Sequence, residues 1–376
     1  MRIKVNIFLF SMIALSAQAE ELALDYSGDI RVGVQYNDSS DTGSGTDLAL
    51  GGNLHVQTKP LSGISVGVTL HTSNALLNQN DAYGVPFYDI NSKSYAILSE
   101  AYIQGNYENS SFILGRQTLD TPFLDSDDIG MVPNTFEAYT LMNQDIKDIS
   151  IIYSYVRSMS GVDAAFPEKF SDINGGSGMH LIGLNYEAIE NVALSGWFYH
   201  IPHYAKLSYL DAGYEEDFKG FNYALGAQFA LQDFREGERA KIFGLSASVT
   251  QKKSALTLDI AYNKAMDGAA INGFGGGPFF VNVAHMTLAE VGKDGEVFVY
   301  GAEWDASEVL MEGLSLGVKQ AQLKDAMHNR GDETDLLLSF AASETLTFDA
   351  VYSTLDNSKI SGDTFEIVRA FVNYSF

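Results

Sequence analysis

The chain has 376 residues, a formal net charge of −25 and no cysteine. That acidity argues against a nucleic-acid partner, because phosphate backbones reward Lys and Arg, and the lack of Cys excludes a disulfide framework and thiolate metal sites. Glycine is abundant at 35 residues, proline is scarce at 7, and 20 Tyr and 23 Phe make the chain rich in aromatics.

Residues 1–19 read as an export signal. Arg2 and Lys4 form a basic start, residues 5–15 are mostly apolar, and Ala17-Gln18-Ala19 offers a small-residue cleavage site. The apolar run falls short of the ~20 residues that a spanning helix needs. Residues 20–376 read as one domain. No later apolar run approaches ~18 residues, so helical membrane spans are excluded. Two classes remain: a large soluble all-β protein, or an outer-membrane barrel.

The next elements alternate. In 24–36, Leu24, Tyr26, Ile30, Val32, Val34 and Tyr36 share one face, and Asp25, Ser27, Asp29, Arg31 and Gln35 share the other. Period two over such a length is a strand. Residues 48–59 repeat it, with Leu48, Leu50, Leu54 and Val56 against Asn53, His55, Gln57 and Lys59. Residues 64–71 do so again after the tight turn Pro60-Leu61-Ser62-Gly63. Further turns are expected near 108–111, 143–148, 188–191, 215–219, 252–254, 310–313 and 343–345. Between them lie longer connections at 37–46, 74–93, 118–135, 158–178, 201–204, 234–240, 267–294, 325–333 and 355–363. Short and long alternate, which gives about 18 strands and nine long loops. This predicts an all-β transmembrane antiparallel β-barrel of about 18 strands. A barrel is the sheet that lipid tolerates, because an open edge leaves backbone groups unpaired.

A soluble sandwich would also alternate, but so many strands with no domain break disfavour it. Tyr26, Tyr36, Tyr107, Tyr186, Tyr262, Tyr352 and Tyr374 sit at strand ends, where interfacial girdles lie. The last strand puts Val368, Ala370, Val372, Tyr374 and Phe376 on one face and Arg369, Asn373 and Ser375 on the other. Its terminal Phe resembles the signal that barrels present to their insertion machinery.

Residues 114–139 stand out. They hold Asp120, Asp125, Asp127 and Asp128, two prolines, and apolar residues that a loop in solvent does not need: Phe123, Ile129, Met131, Val132 and Phe136. Burial of those residues predicts a third loop folded inward against the wall. Here GRQTLDTPF and DSDDIGMVPNTFE resemble the OprD-type outer-membrane porins, the substrate-specific channels of pseudomonads and their epsilonproteobacterial relatives. The resemblance extends more loosely to the hairpin NYEAIENVALSGWFYHI at 185–201 and to GGGPFFVN at 275–282.

The resemblance implies a porin in the bacterial outer membrane, often weakly trimeric, with third and seventh loops folded inward. Small, water-soluble, carboxylate-bearing solutes and ions would diffuse through passively, with no cofactor and no chemistry. It implies a ladder of basic residues opposite an acidic pocket. Alternation puts Arg31 and Arg369 in the lumen on neighbouring strands, with Lys319 and Lys59 extending the track. The opposing acids would be Asp120, Asp125, Asp127, Asp128 and Glu100. Phe279 and Phe280 would dock the seventh loop beside Phe123, Ile129, Met131 and Phe136. The chain departs from the family in one respect: it has eight arginines, and just two fall clearly on lumen-facing strand positions.

His200 and His203 have no third ligand nearby, so no metal site is expected. The acidic Asp38-Ser39-Ser40-Asp41 reads first as a solvated loop and second as a divalent-cation site at the lipopolysaccharide surface. Two rival functions stay open: a plugged structural or adhesive barrel, and an outer-membrane enzyme.

Overall fold

The computed structural model describes residues 24–40, 43–79, 85–356, 360 and 364–376. The expected export signal, residues 1–19, and Asp41 lie outside them. The strands are β1 (Leu24–Ser39), β2 (Gly43–Thr58), β3 (Ile64–Asn78), β4 (Tyr95–Tyr107), β5 (Ser110–Gln117), β6 (Thr135–Asn143), β7 (Ile149–Ser160), β8 (Ser171–Asp172), β9 (Met179–Ile189), β10 (Val192–Ile201), β11 (Ala205–Phe218), β12 (Phe221–Phe234), β13 (Ala240–Gln251), β14 (Leu256–Met266), β15 (Glu296–Asp305), β16 (Leu314–Lys324), β17 (Arg330–Ala341), β18 (Leu346–Asp356) and β19 (Thr364–Ser375).

Every neighbouring pair is antiparallel, and β1 pairs with both β2 and β19, so the sheet closes. The two-residue β8 pairs only with β7, while β7 pairs directly with β9. Eighteen strands therefore build the wall, as the alternation predicts. The seam is sealed by the C-terminal residue: Phe376 N–H donates to Gly28 O at 3.0 Å and Gly28 N–H donates to Phe376 O at 3.1 Å. Gly28 is required there, because a Cβ would meet Asn53 O and the Phe376 ring well inside contact distance.

The wall separates two environments. Val66, Val68, Ile103, Leu141, Leu184, Leu225, Leu245, Ile260 and Leu336 remain exposed on the outside, which forms an apolar belt. Gln35, Asn37, Ser65, Thr69, Ser154 and Gln228 are buried on the inside. No helix of the described residues is long and apolar enough to cross a membrane.

Two differences from the sequence reading have physical causes. The expected first long loop, 37–46, is mostly strand: β1 and β2 stay paired out to Ser39 and Gly43, beyond where their apolar alternation stops. Bulges at Leu48/Ala49, Thr69/Leu70 and Glu137/Ala138 shift the parity locally. Through the second of these, Ser99 and Glu100 both face inward although adjacent: Ser99 meets His71 and Glu100 meets Thr69.

The core lies inside the barrel, in the half nearer the long loops. One cluster joins Phe123, Leu124, Phe279, Val281 and Leu288 to wall residues Tyr199, Leu207, Ile242 and Val297. A smaller one joins Phe87, Tyr88, Met131 and Val132 to Ala49 and Ile97.

Candidate functional site: the loop constriction

The third long loop, 118–134, leaves the wall early because β5 has only eight residues. Phe123 anchors it. Its ring meets Tyr199, Tyr209 and Phe279 edge-on, with centroids at 5.4, 6.1 and 6.4 Å, a geometry that aromatic quadrupoles favour. Phe136 is fully buried at the far end of the loop. Met131 fits a socket made by glycines: a Cβ on Gly33 would lie 2.7 Å from its sulfur, and one on Gly51 3.1 Å from its methyl.

The seventh long loop, 267–295, grips the third. Leu124 and Phe274 form a short parallel bridge, with Phe274 N–H donating to Phe123 O at 2.9 Å and Asp125 N–H to Phe274 O at 3.2 Å. The glycine run serves this approach rather than flexibility, since a Cβ on Gly275 would lie 2.6 Å from Asp125 Cβ. Phe279 is buried and Phe280 packs half-buried on the same cluster. Two acids that the sequence reading did not single out hold this loop to the wall. Glu333 accepts from His285 N–H at 2.9 Å and Met286 N–H at 2.8 Å; Asp335 accepts from Ala284 N–H at 3.0 Å and Ser353 Oγ at 2.6 Å. Inward parity was legible for both, but nothing local marks an acid that binds a loop instead of water. Glu333→Ala is expected to undock the seventh loop, since each buried amide left unsatisfied costs ~1–3 kcal/mol. Protease cleavage within 267–295 of the folded barrel checks this; equal resistance in the variant would dismiss the anchor.

The charged residues fall into pairs. Arg31 donates to both carboxylate oxygens of Asp128, at 2.5 and 2.9 Å, to Gly130 O at 2.7 Å and to Asn373 Oδ1 at 2.7 Å. Its guanidinium also lies 5.1 Å from the Phe371 ring centroid. The sequence reading put Arg31 and Asp128 across the pore from each other; they are in direct contact, because the loop reaches the wall at β1. Lys319 pairs with Glu303 at 3.1 Å. Arg369 is buried on β19 among Asp127, Glu333 and Asp335.

The remaining loop acids look inward to the loop itself. Asp120 accepts from Ser126 N–H and Asp125 from Asp127 N–H. Asp127 meets Asp163 of the fourth long loop, and burial and that carboxyl push its pKa up to about 7. Glu100 on β4 accepts from Thr69 and from Thr118 N–H at the start of the loop. Lys59 lies just past the end of β2, exposed at a turn, away from the track proposed for it. Arg116 stacks at 4.3 Å on Phe170 and donates to Leu98 O. Burial, with Arg369 nearby, drives the His285 pKa down to about 3, so its ring is neutral near pH 7.

A recess of about 370 Å³ stays open beside the third loop, lined by Asp128, Ile129, Glu303, Asp349, Arg369 and Phe371 among others. A closed barrel with an apolar belt and a charged lumen narrowed by inward loops is an outer-membrane diffusion channel. The family model for outer membrane porins of the OprD family matches residues 90–287, more than half of the chain, and the chain belongs to that family. The long loops are accordingly extracellular and the short turns periplasmic. Solved structures agree in fold. OccK9 (OpdG) of Pseudomonas aeruginosa superposes with a TM-score of 0.81 at 16% identity, covering 94% of this chain and 98% of that one. A BenF-like porin from Pseudomonas fluorescens Pf-5 gives 0.80 at 13%, and OpdK of Pseudomonas aeruginosa with vanillate gives 0.79 at 13%, each with the same coverage. A search of the curated proteins found no match.

Proposed function

We propose that this porin passes small water-soluble solutes with cations and zwitterions ahead of anions. The observation that carries this is the pairing of the wall cations: Arg31 is taken by Asp128 and Lys319 by Glu303. Among the described residues, Asp29, Asp259 and Asp349 face the lumen beside Asn53, Gly301 and Ser339 and form no ion pair, with Arg31 and Lys319 acting on them only at longer range. An acidic wall raises the local concentration of cations, and binding stays weak enough for release. A carboxylate-bearing solute fits this lumen when it also carries a positive group, the two ends addressing Arg369 and Asp349 in the recess. The loop acids Asp125 and Asp120 shape the loop backbone in this reading and do not meet the solute.

The test is the reversal potential of the refolded barrel under a KCl gradient. A potential of the cation-selective sign is expected. An anion-selective sign would refute this reading and restore a basic ladder as the dominant field.

A further inference from the structure

The outer face of the barrel carries a feature that the channel reading does not use. Lys264, Glu296, Lys324 and Arg330 are successive cross-strand partners on β14, β15, β16 and β17. Their neighbours Asn263, Val297, Leu323 and Gly331 are buried toward the lumen, so this row faces outward, at the extracellular rim. Glu296 holds both lysines of the row, with Nζ of Lys324 at 2.9 Å and Nζ of Lys264 at 3.4 Å, and takes the Tyr262 hydroxyl at 2.8 Å. Lys324 and Arg330 sit directly opposite each other. Like charges in that position are destabilising, and three cations to one anion is unusual in a chain of net charge −25.

From the β14–β15 end of the row an apolar groove of about 620 Å³ runs down the wall across β13, β12 and β11, reaching Tyr214 and Val192 near the short-turn end. Its floor is small, made by Ala212, Ala227 and Ala247, and its sides are Leu225, Leu245 and Ile260. Tyr262 and Phe298 close its upper end. They lie two residues from Lys264 and Glu296 on the same strands and faces, so groove and cation row are continuous.

We propose that this face binds a phosphorylated, multiply acylated lipid of the outer leaflet. The phosphate sits over Lys264, Lys324 and Arg330, and one acyl chain enters the upper end of the groove past Tyr262 and Phe298 toward Ala227 and Ala247. The order is what a bilayer demands: cations at headgroup level, small side chains at acyl depth. Glu296 keeps both ammonium groups aimed at one place and leaves them in net excess.

The experiment uses the refolded barrel in detergent, with native mass spectrometry as the readout. The probes are bisphosphorylated lipid A and the same lipid with its phosphates removed. One retained lipid A per barrel is expected, and poor retention of the dephosphorylated form. Lys264→Gln with Lys324→Gln and Arg330→Gln should weaken retention on the order of a hundredfold, at roughly fivefold per charge. Ala227→Phe with Ala247→Phe, which fills the groove, should weaken both lipids alike. Unchanged conductance in each variant certifies the fold and separates this test from that of ion preference. Equal retention by the triple variant would overturn the proposal. So would a groove variant that dissociates an oligomer while keeping its lipid, because the groove would then be an interface between copies of this chain.

Discussion

Arg31→Ala is expected to release the tip of the third loop and raise single-channel conductance. The guanidinium holds Asp128 by two parallel bonds and Gly130 by a third, and it is the only wall side chain seen to bond that tip among the described residues. Charge-assisted contacts of this kind are worth ~1.5–3 kcal/mol when shielded. Asp128 is half exposed, so solvent screening reduces the net to about 1 kcal/mol. That corresponds to about a fivefold gain in the population of released loop. The channel should then show a second, larger conductance level, and cation preference should rise because a wall cation is gone. Arg31→Lys should fall between, since an ammonium cannot reproduce the fork. Asp128→Asn gives the contrast: it leaves an oxygen for Arg31, uncovers the Arg31 charge and moves the reversal potential toward anions. A single unchanged conductance level in Arg31→Ala would mean that Phe123 and Met131 alone fix the loop.

The division between what the sequence disclosed and what it hid has a physical basis. Strands were legible because a barrel wall has different solvents on its two faces, so every residue reports its side. The inward loop was legible because Phe123, Met131 and Phe136 cannot be left in water. The charge arrangement was hidden. Parity places Arg31 in the lumen, but Asp128 sits on a loop whose path no periodicity records, and contact or opposition across the pore is decided by that path. Glu333 and Asp335 look the same in alternation as Asp349, although they bind backbone amides and Asp349 lines the recess. Lys59 shares the lumen parity of β2, but the strand stops at Thr58. Bulges such as that beside Glu100 break the count of two without any sequence signature.

A pH-dependent constriction is expected from the meeting of the third and fourth long loops. Asp127 is partly buried against Asp163, with Asp125 beside it on its own loop and Arg369 facing it from β19. Burial is the larger cause of its raised pKa of about 7 and the two carboxyls add to it, while Arg369 opposes. In a released loop the same group would titrate as an ordinary carboxylic acid, near ~4. The docked loop thus holds its proton more tightly than the released one. Its advantage is complete at pH values below ~4, declines as pH rises, and is gone above about 7. Arg31 and Arg369 stay charged throughout this window, and His285 stays neutral through its upper part because its own pKa is about 3. The channel should therefore be narrowest and quietest in mild acid. Conductance or its noise should climb through a midpoint near 7 when recordings are taken between roughly pH 5 and pH 9. Asp127→Asn carries no charge at any pH and should hold the acid-form conductance throughout. Asp163→Asn removes one repelling neighbour and should move the midpoint to lower pH. If Asp127→Asn kept the same step at the same pH, the titrating group would lie elsewhere and the contact between the two loops would be packing alone.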